Sequence, residues 1–274
     1  VSKILLIFFS ISNFIFSQDD LIKQLDYADS LYVQHNYYDA ITEYKRLIFF
    51  DKEKSFIYYS FNQIARCYKY ARKFEDSYNF FSLALTEAKS SKEVFDCKIS
   101  VCRLNIIERK TKNAHRILDE LEKDFLFREF ESEIKFWRAW TFLFEMDYKK
   151  AKDILNELNK KELANLSEKL LEDSYSVQTA KILSTILPGM GQFYTGNYLN
   201  GVGSLLWNVL SGYFTINALS NERIFDGIVI SNFLWLRFYK GNLENAEKFA
   251  IDENEKIFYE SLTFIYSNFP EEIP

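Results

Sequence analysis

The feature that most limits what this chain can fold into is an interval. The segments YYDAITEYKRL, FEDSYNFFSLA, TKNAHRILDEL and YKKAKDILNEL align without gaps, and their small residues Ala40, Ser77, Ala114 and Ala151 recur every 37 positions. Four residues further on stand Tyr44, Phe81, Leu118 and Leu155, and three beyond those Leu47, Ala84, Leu121 and Leu158. Twelve positions before each small residue lies another, Ala28, Ala65, Cys102 and Ala139, at the same interval. Offsets of four and seven put the large apolar residues on one helical face with the small one, which lets a second helix approach closely. A recurrence of this kind marks stacked helix pairs, each burying its apolar face only against its neighbours. The spacing predicts an all-α fold with four antiparallel helix pairs, an α-solenoid over residues 18–175. No Gly or Pro interrupts the pattern between Gln18 and Asp173.

The pattern resembles the tetratricopeptide repeat, whose second helix carries a small residue followed by an aromatic and a further apolar position. Tyr37, Phe74 and Tyr148 stand three before the small residue, where that family often has an aromatic. The sequence departs from the family in its period of 37 rather than 34 and in its missing loop prolines. Asn105, Thr111 and Arg138 also break the apolar pattern. The resemblance implies a curved array whose concave face, built mainly from the first helix of each pair, receives a peptide or partner protein. In this phase Asp29, Arg66, Arg103 and Trp140 are equivalent, with Tyr32, Lys69, Ile106 and Leu143 one turn further on. The candidate concave-face contacts are Tyr32, Arg66, Lys69, Arg103 and Trp140, with a basic centre at Arg66, Lys69 and Arg103. The alternative is a solvated charged face.

A second region has different chemistry. In a chain that is 27% charged, residues 182–221 carry no charge at all, and all eight glycines fall between Gly189 and Gly241. Within this region, LPGMGQFYTGN predicts an elbow. Pro188 ends or kinks the preceding helix, while Gly189, Gly191 and Gly196 let the backbone turn and approach its neighbours. Gln192 supplies hydrogen bonds, and Tyr194 suits the headgroup level of a bilayer. Residues 201–219 are uncharged and long enough to span a hydrocarbon core; GIVISNFLWL follows after the short turn SNERIFD. LPGMGQFYTGNYLNG resembles the Pro-Gly-x-Gly-Gln-x-Tyr signature of small bacterial membrane modules of the DUF5683 and TM2-like kind, where it precedes a hydrophobic hairpin. We therefore expect a membrane-embedded helical module at 178–241, crossing fully or lying as a shallow hairpin, and a polar C-terminal helix or tail at 242–274.

The first residues, VSKILLIFFSISNFIFSQDD, read as a signal peptide over 1–17, with an apolar run too short for a comfortable span. This predicts export and a repeat domain in the periplasm. Cys67, Cys97 and Cys102 have no metal spacing and read as small core residues. His35 and His115 lie on different repeats, and no HExxH or G-x-S-x-G occurs. A net charge of -5 without a basic stripe gives no reason to expect nucleic acid. The sequence thus predicts a non-enzymatic envelope scaffold without cofactor or metal, its partners being envelope proteins or peptides and the lipid bilayer. The competing reading is a subunit of a transport or channel assembly with the solenoid as receptor. The absence of ionisable groups inside 182–221 weighs against it.

Overall fold

The computed structural model describes residues 18–268 and 273–274, so the expected signal peptide lies outside the described residues. Among the described residues the fold is all-α, with no strand. It divides into two compact units, one running to Leu158 and including Pro274, the other Asn159–Ile273. The division falls earlier than the expected boundary at 175.

The first unit contains α1 (Gln18–Val33), α2 (Tyr37–Phe50), α3 (Ile57–Tyr70), α4 (Phe74–Glu87), α5 (Ser91–Ile107), α6 (Thr111–Lys123), α7 (Glu131–Phe144) and α8 (Tyr148–Glu157). Each helix packs on the next, and a 3-10 turn at Phe125–Phe130 separates α6 from α7. The small residues Ala28, Ala65, Cys102, Ala139, Ala40, Ser77, Ala114 and Ala151 are all fully buried. Their pairing is direct in two repeats: Ser77 Oγ donates to the Ala65 carbonyl at 2.7 Å, and Cys102 Sγ donates to the Ala114 carbonyl at 3.8 Å. The large residues Tyr44, Phe81, Leu118 and Leu155 are buried beside them, each such side chain contributing about 1.5–3 kcal/mol by leaving water. Two breaks in the apolar pattern find polar solutions. The buried Asn105 amide donates to the Val101 carbonyl at 2.8 Å, and Arg138 bridges Asp119 at 2.9 Å and Glu122 at 2.8 Å.

The turn inside each pair is one structure used four times. His35, Arg72, Arg109 and Met146, again 37 apart, have φ of 61°, 57°, 57° and 62°. The next N–H, from Asn36, Lys73, Lys110 or Asp147, reaches back to the carbonyl of Leu31, Tyr68, Asn105 or Phe142 at 2.8–3.0 Å. This six-to-one closure satisfies a carbonyl that the helix end would otherwise orphan.

The second unit contains α9 (Lys161–Asp173), α10 (Val177–Ile186), α11 (Met190–Tyr194), α12 (Tyr198–Ser220), α13 (Ile224–Ile230), a π turn (Ser231–Trp235) and α14 (Leu236–Asn268). Helices α9, α10, α11 and α12 each pack on α14, and α12 also packs on α13. Two expectations are corrected here. First, no helix among the described residues is long and apolar enough to cross a membrane, so the full crossing by 201–219 does not stand. Length is not the limit, because α12 has 23 residues; Asn208 and Asn217, with the hydroxyls of Ser204, Ser211 and Thr215, dilute its hydropathy. Second, there is no separate polar helix beginning at 242. Helix α14 starts at Leu236, inside the apolar segment, and continues unbroken past that boundary.

Candidate functional site

The basic centre expected on the first unit is assembled from α3 and α5. Lys69, on α3, donates from Nζ to the Pro274 backbone oxygen at 3.0 Å and lies 5.6 Å from the Tyr70 ring centroid. Burial lowers its pKa to about 7, and the positive charges of Arg103 and Arg66 add to the shift. Arg103, on α5, holds its guanidinium 4.5 Å from the Trp137 ring centroid, a cation–π contact that fixes its direction. On α1, Tyr32 joins an aromatic group with Tyr37 and Tyr70, at centroid distances of 6.0 and 6.1 Å. Burial raises the Tyr32 phenol pKa, Tyr70 raises it further, and Arg66 pulls it down. Tyr32, Arg66, Lys69 and Arg103 thus share one electrostatic neighbourhood. Trp140 does not join them. It is fully buried, and its indole Nε1 has no hydrogen-bond partner among the described residues, so it is a core side chain.

The elbow of the second unit is a buried corner. Pro188 follows the end of α10 at Ile186, and Gly189 takes φ 95°; a Cβ there would lie 2.3 Å from the Gly201 carbonyl oxygen. Gly191 runs against α10, where a Cβ would meet the Ala180 carbonyl oxygen at 2.2 Å. Gly196 has φ 77° and precedes Asn197, whose N–H donates to the Gln192 carbonyl at 2.7 Å. That is the six-to-one turn of the repeats, used once more. The side chain that gathers the corner is Asn242 on α14. Its Oδ1 accepts from the Gly189 N–H at 2.8 Å, Ser204 Oγ at 2.9 Å and Gln192 Nε2 at 3.2 Å, while its Nδ2 donates to the Ser184 carbonyl at 3.0 Å. Ser184 Oγ also donates to Gln192 Oε1 at 3.1 Å and accepts from the Gly191 N–H at 2.9 Å. Tyr194 caps the edge, its hydroxyl accepting from the Ser176 N–H at 3.1 Å. Sequence reasoning missed Asn242. Its signal was position, because Asn242, Ala246 and Ala250 are spaced by four and all buried.

The surface of α12 and α13 is the reverse of an ordinary amphipathic hairpin. Helix α12 buries Gly201, Asn208, Ser211, Gly212, Thr215 and Ala218. Leu199, Leu206, Val209, Phe214 and Ile216 are exposed on α12, and Phe225 and Ile228 on α13. Leu199 is 90% exposed and Phe225 78%, so the apolar face has no cover within the described residues. Close approach through small residues recurs at the tip, where a Cβ on Gly227 would fall 2.4 Å from Leu219 Cδ2. Small and polar residues inside with large apolar residues outside is the arrangement of helices packed in lipid. No family model matches the chain, and neither a curated protein nor a solved structure matches it.

Proposed function

We propose that the chain is a non-enzymatic, membrane-associated scaffold of the bacterial cell envelope. Its first unit is a tetratricopeptide-like α-solenoid that binds a peptide or partner protein, and its second unit holds to the bilayer through a shallow hydrophobic hairpin. The observation that carries this reading is the uncovered apolar face of α12 and α13, where Leu199, Leu206, Val209, Phe214, Ile216, Phe225 and Ile228 are all exposed; exposed apolar residues gathered on one face mark a protein or membrane contact. The buried polar interior of α12 supports lipid as the solvent on the other side. For the first unit, support comes from the exact phase of its buried small residues and from Lys69, which already hydrogen-bonds a backbone oxygen of Pro274. Export to the periplasm is part of the proposal and rests on the residues before Gln18.

Vesicle flotation of the full chain tests the central claim. The chain should rise with liposomes and resist carbonate, and the double variant Phe214→Asp, Phe225→Asp should stay at the bottom with unchanged helical circular dichroism. A native chain that stays in solution would remove the membrane role. Mass spectrometry of the mature protein should place its N-terminus near Gln18 if it is exported.

A further inference from the structure

A cleft of about 780 Å³ opens between α12 and the start of α14, beside the apolar hairpin. Each wall carries a polar stripe. Asn200, Ser204 and Asn208 form a stripe at intervals of four on α12, and Arg237, Lys240 and Glu244 form the facing stripe on α14. The latter spans about 10 Å at the helical rise per residue. None of these three charged side chains has an ion-pair partner among the described residues. Asn208 is 4% exposed, and its Oδ1 has no hydrogen-bond partner among the described residues. The Trp207 ring stacks on Phe238 at 5.2 Å and ties the two walls together.

Two glycines shape the space. Gly203 and Gly241 both line the cleft, and a Cβ at either would meet nothing within 4 Å. Unlike Gly189 and Gly191, they are not required by a neighbouring backbone; a side chain there would only occupy the opening. The π turn at Ser231–Trp235 brings Asn232 to the same rim, a local rewinding that is frequent at functional sites.

We propose that this cleft binds the head group of a phospholipid carrying an N–H donor, ethanolamine being the simplest. Two cations and one carboxylate match a phosphate joined to an ammonium. Arg237 and Lys240 hold the phosphate, while Glu244 and the amide oxygens of the Asn side chains accept from the ammonium. Leu199 and Leu236, both exposed at the cleft, face where the acyl chains would lie. The assignment rests on the membrane-association reading above and names the lipid that reading left open.

The test compares flotation of the full chain with vesicles of phosphatidylcholine alone and with phosphatidylethanolamine added, which differ in the N–H donors of the head group. Half-saturation should fall at a roughly fivefold lower lipid concentration with ethanolamine, the upper range of one exposed charged contact. Glu244→Gln should erase that preference and keep flotation. Gly241→Leu should do the same with every charge in place, by filling the cleft. Equal half-saturation for both vesicles in the native chain overturns the head-group site while leaving membrane association standing. So does a preference that survives in both variants, which would trace it to bilayer packing. Soluble glycerophosphoethanolamine that erases the preference at a concentration matching that of the vesicle ethanolamine lipid overturns the lipid assignment in favour of a free phosphodiester. Absence of flotation with either vesicle removes both readings.

Discussion

The first unit buries Tyr44, Phe81, Leu118 and Leu155 and turns charge outward, whereas the second buries Asn208, Ser211, Thr215 and Asn242 and turns Leu206, Phe214 and Phe225 outward. Both are built from helices joined by the same turn. His35, Arg72, Arg109 and Met146 in one unit, and Gly196 and Glu222 in the other, sit at positive φ before a six-to-one hydrogen bond. The comparison teaches that turn geometry and helix pairing are indifferent to which chemistry faces outward. What differs is how the interior is held. Apolar burial stabilises the first unit in proportion to area, with little dependence on direction. The second depends on directed hydrogen bonds, whose value lies chiefly in leaving no buried group unpaired.

The largest effect should come from removing the hub of the polar interior. Asn242→Leu leaves the Gly189 N–H, the Gln192 amide and the Ser184 carbonyl short of a partner, a loss on the order of 3–5 kcal/mol. Thermal unfolding by circular dichroism and proteolysis within 187–197 should both show it. An unchanged melting profile would mean that the corner is not what holds the second unit.

Next comes Ala114→Leu, at a fully buried contact between α5 and α6, expected to destabilise by about 1–3 kcal/mol through overpacking. Val209→Leu, on the exposed face of α12, adds bulk with room to take it and should stay within about 0.5 kcal/mol. Similar losses at the two sites in denaturant titrations would break the contrast between the units.

Alkaline pH should also separate them. Burial raises the Cys67 and Cys102 thiols to about 12 and the Cys97 thiol to about 11, and all three lie in the first unit. Each folded pKa is above its unfolded value, so the stabilisation is complete below about pH 8.5 and is lost as pH rises through the folded values. Native thiols should ignore a disulfide reagent at pH 8 and react after unfolding. Lys69 has the opposite sense. With its pKa lowered to about 7, the folded state binds fewer protons than the unfolded one up to about pH 10.5, so stability rises with pH across that window. Lys69→Met should therefore raise the melting temperature near pH 7, by an amount that fades toward pH 10.5.

A modest effect of opposite sign in the two units is expected at the shared turn. Arg109→Gly relieves a side chain held at φ 57° and should stabilise by up to about 1 kcal/mol, less the entropy that glycine loses. Gly196→Ala, at φ 77°, should destabilise by a similar amount. Equal signs in urea midpoints would show that the two turns are not equivalent.

The sequence by itself determined the helices of the first unit, the small-residue contacts within its pairs, and the grouping of Arg66, Lys69 and Arg103. These follow from periodicity within a few turns of helix, which decides what shares a face before any partner is known. It also marked the need for glycine at Gly189 and Gly191, though not the carbonyls of Gly201 and Ala180 that require it. Tertiary structure alone decided the rest. Trp140 shares its phase with Arg66 and Arg103, yet neighbouring helices close over it. The positive-φ residues of the repeat turns are His, Arg, Arg and Met, so no glycine advertised them. Asn242 meets Gln192 and Gly189 from a distance of fifty residues or more along the chain, and its amide reads as solvated until they are brought together. Local pattern specifies faces; which side of a helix becomes interior depends on contacts between residues far apart in sequence, and in the second unit those contacts are polar.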